Sequence, residues 1–322
     1  MAATAVTFLS AATLSSPVLA QDCKPIKPVA SMKGVVDSGG RMLVPVTMNG
    51  NPNYLMLATY STETIVGNAA RDFNLPIRKS VGNVVRTDGS LINQYALTKE
   101  FKLGQITMTG DIAFFVEEDN PDYKTNKYGG TIGLYYLVAH DIDIDYGNGL
   151  LNLIDPDHCP GNVLYWKPSV VSVIPIIYDS VGNITLKVKL DGVELWAVLA
   201  TENSGTTLNL DVAKDKLKFD PAAPDLEKSG DDKFPVYRKR FATLEMNGLV
   251  VSNPQVSIIP DKIRKRIDQH TTGTSTQIDD AKLNEIMLGA NILSKLHVYI
   301  AVKEKKLYIS PLPAPKAAAP PN

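Results

Sequence analysis

Residues 48–59 read MNGNPNYLMLAT, and residues 190–201 read LDGVELWAVLAT. In each stretch a glycine turn leads into a mostly apolar strand that ends on an alanine–threonine pair. Gly50 precedes Ala58 by eight residues, and Gly192 precedes Ala200 by the same eight. Self-similarity at fixed spacing is the signature of a duplicated unit. A second landmark repeats as well: Thr131-Ile132-Gly133 with Leu137 answers Met287-Leu288-Gly289 with Leu293. From these glycines the distance to Leu151 and to Leu307 is again equal. Leu103-Gly104 with Ile106 and Asn247-Gly248 with Val250 form a third, weaker match. The second copy carries about 14 extra residues between its landmarks, expected in the polar stretch Asp261–Asp280, because insertions collect in surface loops.

Both copies are rich in strand signals. Leu43–Met48 and Ile184–Leu190 alternate with period two and run into Asn-Gly and Asp-Gly, the dipeptides that favour tight hairpin turns. Asp111–Val116 and Gln255–Ile259 read as buried strands, and His140–Tyr146 with Leu150–Ile154 reads as a hairpin across Gly147-Asn148-Gly149. Short helices are expected at Asn68–Phe73, Leu134–Ala139 and Ala290–Lys295. Tyr54 and Trp196 occupy near-equivalent strand positions and are expected in the core. The fold class that follows is all-β with a few short helices.

Composition bounds the function. The chain has 322 residues, 33 basic against 34 acidic, and a formal net charge of −1. That balance gives no electrostatic footprint for nucleic acid, and the densest basic run, Lys262–Arg266, reads as a solvated face. Residues 1–20 are small or apolar and uncharged, and Val18-Leu19-Ala20 fits a signal-peptidase site. A signal peptide cleaved after Ala20 is expected despite the missing basic start, and with it a periplasmic or secreted location. No later apolar run reaches the roughly 18 residues that a membrane span needs. The two cysteines, Cys23 and Cys159, are expected to pair in an exported chain, the alternative being two free thiols. Four histidines without paired ligand spacing argue for no metal, and no cofactor loop is found. The Pro/Ala-rich tail, 313–322, is expected to be disordered.

With these residues in view, the repeat resembles the retropepsin-like aspartic proteases, particularly exported bacterial ones. The likeness covers most of residues 33–312. It implies two tandem lobes, 33–156 and 173–312, joined by a linker at 157–172 and forming a pseudo-twofold bilobal unit of β-barrel type. It implies one catalytic aspartate per lobe, the pair sharing a proton across a substrate cleft. The sequence departs from that pattern at its centre. Where the family has Asp-Thr-Gly, this chain has Ala58-Thr59-Tyr60, followed by Ser61, and Ala200-Thr201-Glu202, followed by Asn203. Both aspartates and both glycines are gone. Thr59 and Thr201 match the family positions whose hydroxyls brace the lobes together.

The expectation is therefore a pseudoprotease with no catalytic residue. Its cleft, lined by Thr59, Tyr60, Ser61, Thr201, Glu202 and Asn203, would bind a peptide or protein. Two alternatives stay open: an active peptidase using displaced acids, such as Glu202 with the loop Arg86–Gly89, and a purely structural protein whose cleft is closed. Two lobes in one chain imply a monomer. The acidic run Asp141, Asp143, Asp145 reads as the solvent face of a strand whose Ile142 and Ile144 point inward.

Overall fold

The computed structural model describes residues 24–85, 91–179, 182–223, 226–230, 235–260 and 284–312. The leader, Cys23, the Arg86–Gly89 loop, Lys262–Arg266, the Asp261–Asp280 stretch and the tail from 313 lie outside these residues.

Strands are the dominant regular structure among the described residues. In order they are β1 (Pro28–Lys33), β2 (Val35–Val36), β3 (Met42–Met48), β4 (Asn51–Leu57), β5 (Thr64–Val66), β6 (Ile77–Val85), β7 (Leu91–Leu103), β8 (Ile106–Glu117), β9 (Gly130–Ile132), β10 (Asp141–Asp145) and β11 (Leu150–Ile154). The second half continues with β12 (Ser172–Pro175), β13 (Ile177–Tyr178), β14 (Ile184–Leu190), β15 (Val193–Leu199), β16 (Thr206–Asn209), β17 (Glu227–Ser229), β18 (Val236–Arg240), β19 (Thr243–Met246), β20 (Leu249–Ser252), β21 (Gln255–Ile259), β22 (Ile286–Leu288), β23 (Leu296–Ala301) and β24 (Lys306–Pro311). Helices are short: α1 (Gly67–Asp72), α2 (Leu210–Leu217), α3 (Ala290–Leu293) and a single 3-10 turn at Leu134–Tyr136. The helix α2 was not expected from the sequence. Its start is fixed by Asn209, whose side chain accepts from the Asp211 and Val212 amides.

The two halves fold by the same plan. Strand order β3-β4-β9-β5-β8-β7 in the first half is matched by β14-β15-β22-β16-β21-β18 in the second. Pairing of β3 with β7 closes the first six strands into a barrel, which removes their free edges. In the second half β19 returns to β14 in the corresponding way. The hairpins that open each plan need positive φ at two successive residues: Asn49 and Gly50 have φ 48° and 79°, Asp191 and Gly192 have 48° and 80°. Asn-Gly and Asp-Gly meet that demand at little cost. Register agrees too. Met56 and Leu57 lie beside Thr131 and Ile132, as Val198 and Leu199 lie beside Met287 and Leu288. A third sheet, β1-β11-β10-β23-β24-β12, draws strands from both halves and joins them through the β10–β23 ladder.

Some sequence expectations need correction. In β8 only Ile112 and Phe114 of the expected buried run are buried, and in β21 only Val256 and Ile258. Both strands turn one face outward, so alternation wins over continuous burial. Tyr54 and Trp196 are half-buried rather than core, each with a lysine, Lys127 or Lys187, over its ring.

The acidic run departs furthest from its expected setting. Asp141 and Asp143 are 1% and 0% exposed. The face of β10 that carries these carboxylates is covered by side chains of β23 and of residues 158–166, so it does not meet solvent. Asp141 accepts from the Tyr299 hydroxyl (3.0 Å) and the Val302 amide (2.8 Å), and lies 2.7 Å from His158 Nε2. Asp143 is met by His297 Nε2, the Tyr165 hydroxyl and Asn152 Nδ2. Trp166 stacks on the His297 ring at 4.1 Å between centroids. The expected linker, 157–172, thus supplies His158, Tyr165 and Trp166 to cover the buried acids. Burial works against charging His158, but its bonds to Asp141 and the Cys159 carbonyl, and the charges of Asp141 and Glu304, hold it above its ordinary value.

Candidate functional site

Each half presents one loop at the seam between them: residues 58–63 leaving β4, and residues 200–205 leaving β15. The parallel neighbours β9 and β22 place both loops, through Ala58 N to Ile132 O and Ala200 N to Leu288 O, each 3.0 Å. Ala58 and Ala200 are both fully buried.

The two threonines cross the seam reciprocally. Thr59 Oγ1 donates to Leu199 O, and Thr201 Oγ1 donates to Leu57 O, both at 2.8 Å. The Thr201 amide then donates to Thr59 Oγ1 at 3.2 Å. Its counterpart, the Thr59 amide, goes elsewhere: it donates to Glu202 Oε2 at 3.2 Å. Glu202 Oε1 accepts from the Ser61 hydroxyl at 2.8 Å. A side chain of the second loop thereby occupies the donor groups of the first. The Glu202 carboxyl is 7% exposed, and no cation pairs with it among the described residues. Burial pushes its pKa above the ordinary carboxylate value; its own amide, the Ser61 hydroxyl and the amides of Thr59 and Tyr60 oppose that shift without cancelling it.

The remaining predicted site residues are peripheral to this centre. Tyr60 is half-buried, and its hydroxyl accepts from Asn284 Nδ2 at 2.9 Å, across the seam. Asn203 acts through its backbone: its amide donates to Ala200 O, and its carbonyl accepts from the Ala290 amide.

Three contributors were not foreseen. Glu63 is a second buried acid, 7% exposed, on the first loop. Its Oε2 accepts from Thr62 Oγ1 at 2.9 Å, while Oε1 has no partner among the described residues. Burial raises its pKa, against bonds from its own amide, Thr62 and the Tyr135 amide. Tyr146, buried at the turn after β10, has a hydroxyl without a partner among the described residues, and burial and then the charge of Glu202 push its pKa up. Gly133 and Gly289 are the third contribution. A Cβ at Gly289 would lie 2.3 Å from Gly205 O, and one at Gly133 2.8 Å from Ser61 O. These glycines let β9 and β22 run directly beneath the loops. The repeat itself marked them, whereas the only trace of Glu63 was an acid placed just before an apolar strand.

Chemically, the two loops offer two methyl groups, two bracing hydroxyls, the Ser61 hydroxyl and two buried carboxyls, of which Glu202 is bonded across the seam. No group of three or more potential metal ligands occurs among the described residues. No helix among them is long and apolar enough to cross a membrane. No family model matches the chain, and no curated protein matches it.

Proposed function

We propose that the chain is an exported protein of the aspartic-protease type, with two retropepsin-like lobes, that binds peptide or protein in its interlobe cleft without cutting it. The reciprocal bonds from Thr59 to Leu199 and from Thr201 to Leu57, with alanine immediately before each threonine, carry this reading. Peptide hydrolysis of this kind needs two carboxylates close enough to share one proton, so that one activates water and the other protonates the leaving amine. Ala58 and Ala200 can hold no proton. Glu202 is a single carboxyl, and no second carboxylate bonds to it among the described residues.

One observation favours a second reading, in which the cleft is closed. Glu202 is buried in bonds from the opposite loop and Tyr60 is tied to Asn284, so the centre of the seam is filled by the protein's own side chains.

The export reading draws on the cysteines. Residue 24 bridges residue 158, and the Cys159 amide donates to Lys24 O at 3.1 Å, which brings the neighbour of Cys23 alongside Cys159. No cysteine is free among the described residues. A Cys23–Cys159 bond would tie the mature N-terminus to the end of the first lobe, and non-reducing mass spectrometry of secreted protein should find it. Two alkylatable thiols would remove this support for export.

The functional test uses purified protein and a mixed peptide library from about pH 3, where a carboxyl dyad shares its proton, to about pH 8. The expected result is retention of a subset of peptides on immobilised protein, with no cleavage seen by mass spectrometry. Retention of none would favour the closed cleft. Cleavage that disappears in Glu202→Gln would overturn the inactive reading and assign Glu202 as the working acid.

A further inference from the structure

Among the described residues Glu202 is the only carboxyl group shown bridging the two loops, and no cation among them pairs with it. The groups shown facing it come from both loops and from the turn after β10. The first loop gives the Thr59 and Tyr60 amides and the Ser61 hydroxyl, its own loop gives its own amide, and the turn after β10 gives Tyr146. None of these is a cation. An ionised carboxylate buried without a cation has only these dipoles to replace its lost water, and leaving it so buried is costly. A protonated carboxyl carries no such cost. Hydration of the seam would relieve the charged form, and the bonds that would have to part are those that cross between the loops.

We propose that Glu202 is a proton-controlled latch between the two loops: protonated, it keeps the 58–63 loop shut against the 200–205 loop, and on ionisation water enters and the loops separate. The latch does not depend on the peptide-binding reading, since it concerns the protein's own seam.

The direction of the raised pKa agrees with the geometry. A carboxyl whose folded value lies above its unfolded value contributes stability that is fully present below the unfolded value, 4.5, and that is lost as pH rises through the folded value. Opening of the seam should therefore grow with pH above that point and level off once the closed form has ionised. Glu63 titrates in the same direction, but its bonds to Thr62 and the Tyr135 amide and its neighbour Tyr136 all lie within the first half. It loosens that loop's footing and breaks no bond across the seam.

Native-state hydrogen exchange of the full chain tests the latch at individual amides. The Thr59 and Thr201 amides report the seam, and those of Leu55 and Leu195, in β4 and β15, report the strands behind it. After correction for intrinsic base catalysis, the open population at Thr59 and Thr201 should rise by up to about tenfold per pH unit before levelling off, while Leu55 and Leu195 stay unchanged. In Glu202→Gln the seam amides should show no such rise. Should that variant fail to fold, Ser61→Ala serves instead: losing a donor to the charged form raises the carboxyl further, so the levelling-off moves to higher pH. A flat profile in the wild type would overturn the latch. So would a rise that persists in Glu202→Gln, an unmoved plateau in Ser61→Ala, or an equal rise at Leu55 and Leu195.

Discussion

The loop leaving β4 and the loop leaving β15 begin from the same residues, Ala-Thr, and end differently. The first loop holds its own buried acid, Glu63, and receives a second, Glu202, from across the seam. The second loop sends its one carboxyl, Glu202, across the seam to donors of the first. It is fastened by uncharged contacts instead: Gly205 O lies against Gly289, the Asn203 carbonyl accepts from Ala290, and Asn291 Oδ1 accepts from the Thr206 amide and hydroxyl, both at 2.8 Å. A duplicated backbone can thus keep its bracing threonines while its two copies diverge in how each loop is anchored. One copy relies on titratable groups and the other on close packing.

Close packing should give the largest difference between the copies. In Gly289→Ala the new Cβ must push against backbone at 2.3 Å, and a loss of about 3 kcal/mol or more is expected. Gly133→Ala meets Ser61 O and Glu63 Oε1 at 2.8 Å and should cost about 2 kcal/mol. Urea denaturation of both variants measures this; equal losses would erase the contrast.

The bracing threonines should come next, and unequally. Thr59 Oγ1 both donates to Leu199 O and accepts from the Thr201 amide, so Thr59→Val strands two buried groups, at about 3 kcal/mol. Thr201→Val strands only Leu57 O, at about 1–2 kcal/mol. If the two variants unfold at the same denaturant concentration, the asymmetry introduced by Glu202 has no energetic weight.

A smaller contrast separates the helices that follow the loops. Helix α2 has a side-chain cap in Asn209, whereas α1, with Val66 at the cap position, has none. Asn209→Ala should therefore cost about 1 kcal/mol, read as a lowered thermal midpoint.

The smallest effect is a gain. Glu63→Gln removes a buried acid whose raised pKa withdraws stability as pH climbs above 4.5. The variant should melt at the wild-type temperature in acid and above it at neutral pH. A neutral-pH loss would mean that the Glu63 carboxylate is satisfied in a way its unpartnered Oε1 does not suggest.

Much of this was written in local sequence. Glycine turns, period-two strands and equal spacings placed the hairpins β3–β4 and β14–β15 and made Gly133 and Gly289 equivalent, whereas the parallel register of β9 and β22 against β4 and β15 came only from the structure. Helix α2 was missed because its capping Asn209 lies directly after a strand rather than after a loop. The acidic strand β10 misled for a reason that sequence cannot carry. A period-two pattern tells which residues share a face, but whether that face meets water depends on what other strands lie beside it. Here β23, about 150 residues away in sequence, and the residues around His158 and Trp166 cover it, so an apparent solvent face became a buried network of acids, histidines and tyrosines.

The centre of the seam divides in the same way. Its residues were legible one letter at a time: Ala58 and Ala200 before the two threonines, Tyr60 and Glu202 after them. The direction in which Glu202 points was decided only by folding. A turn residue on its own loop would face solvent. Bringing the halves together puts three donors from the other loop within reach of its carboxyl and excludes water from it, and burial, which no local sequence encodes, makes it a titratable contact between the two halves.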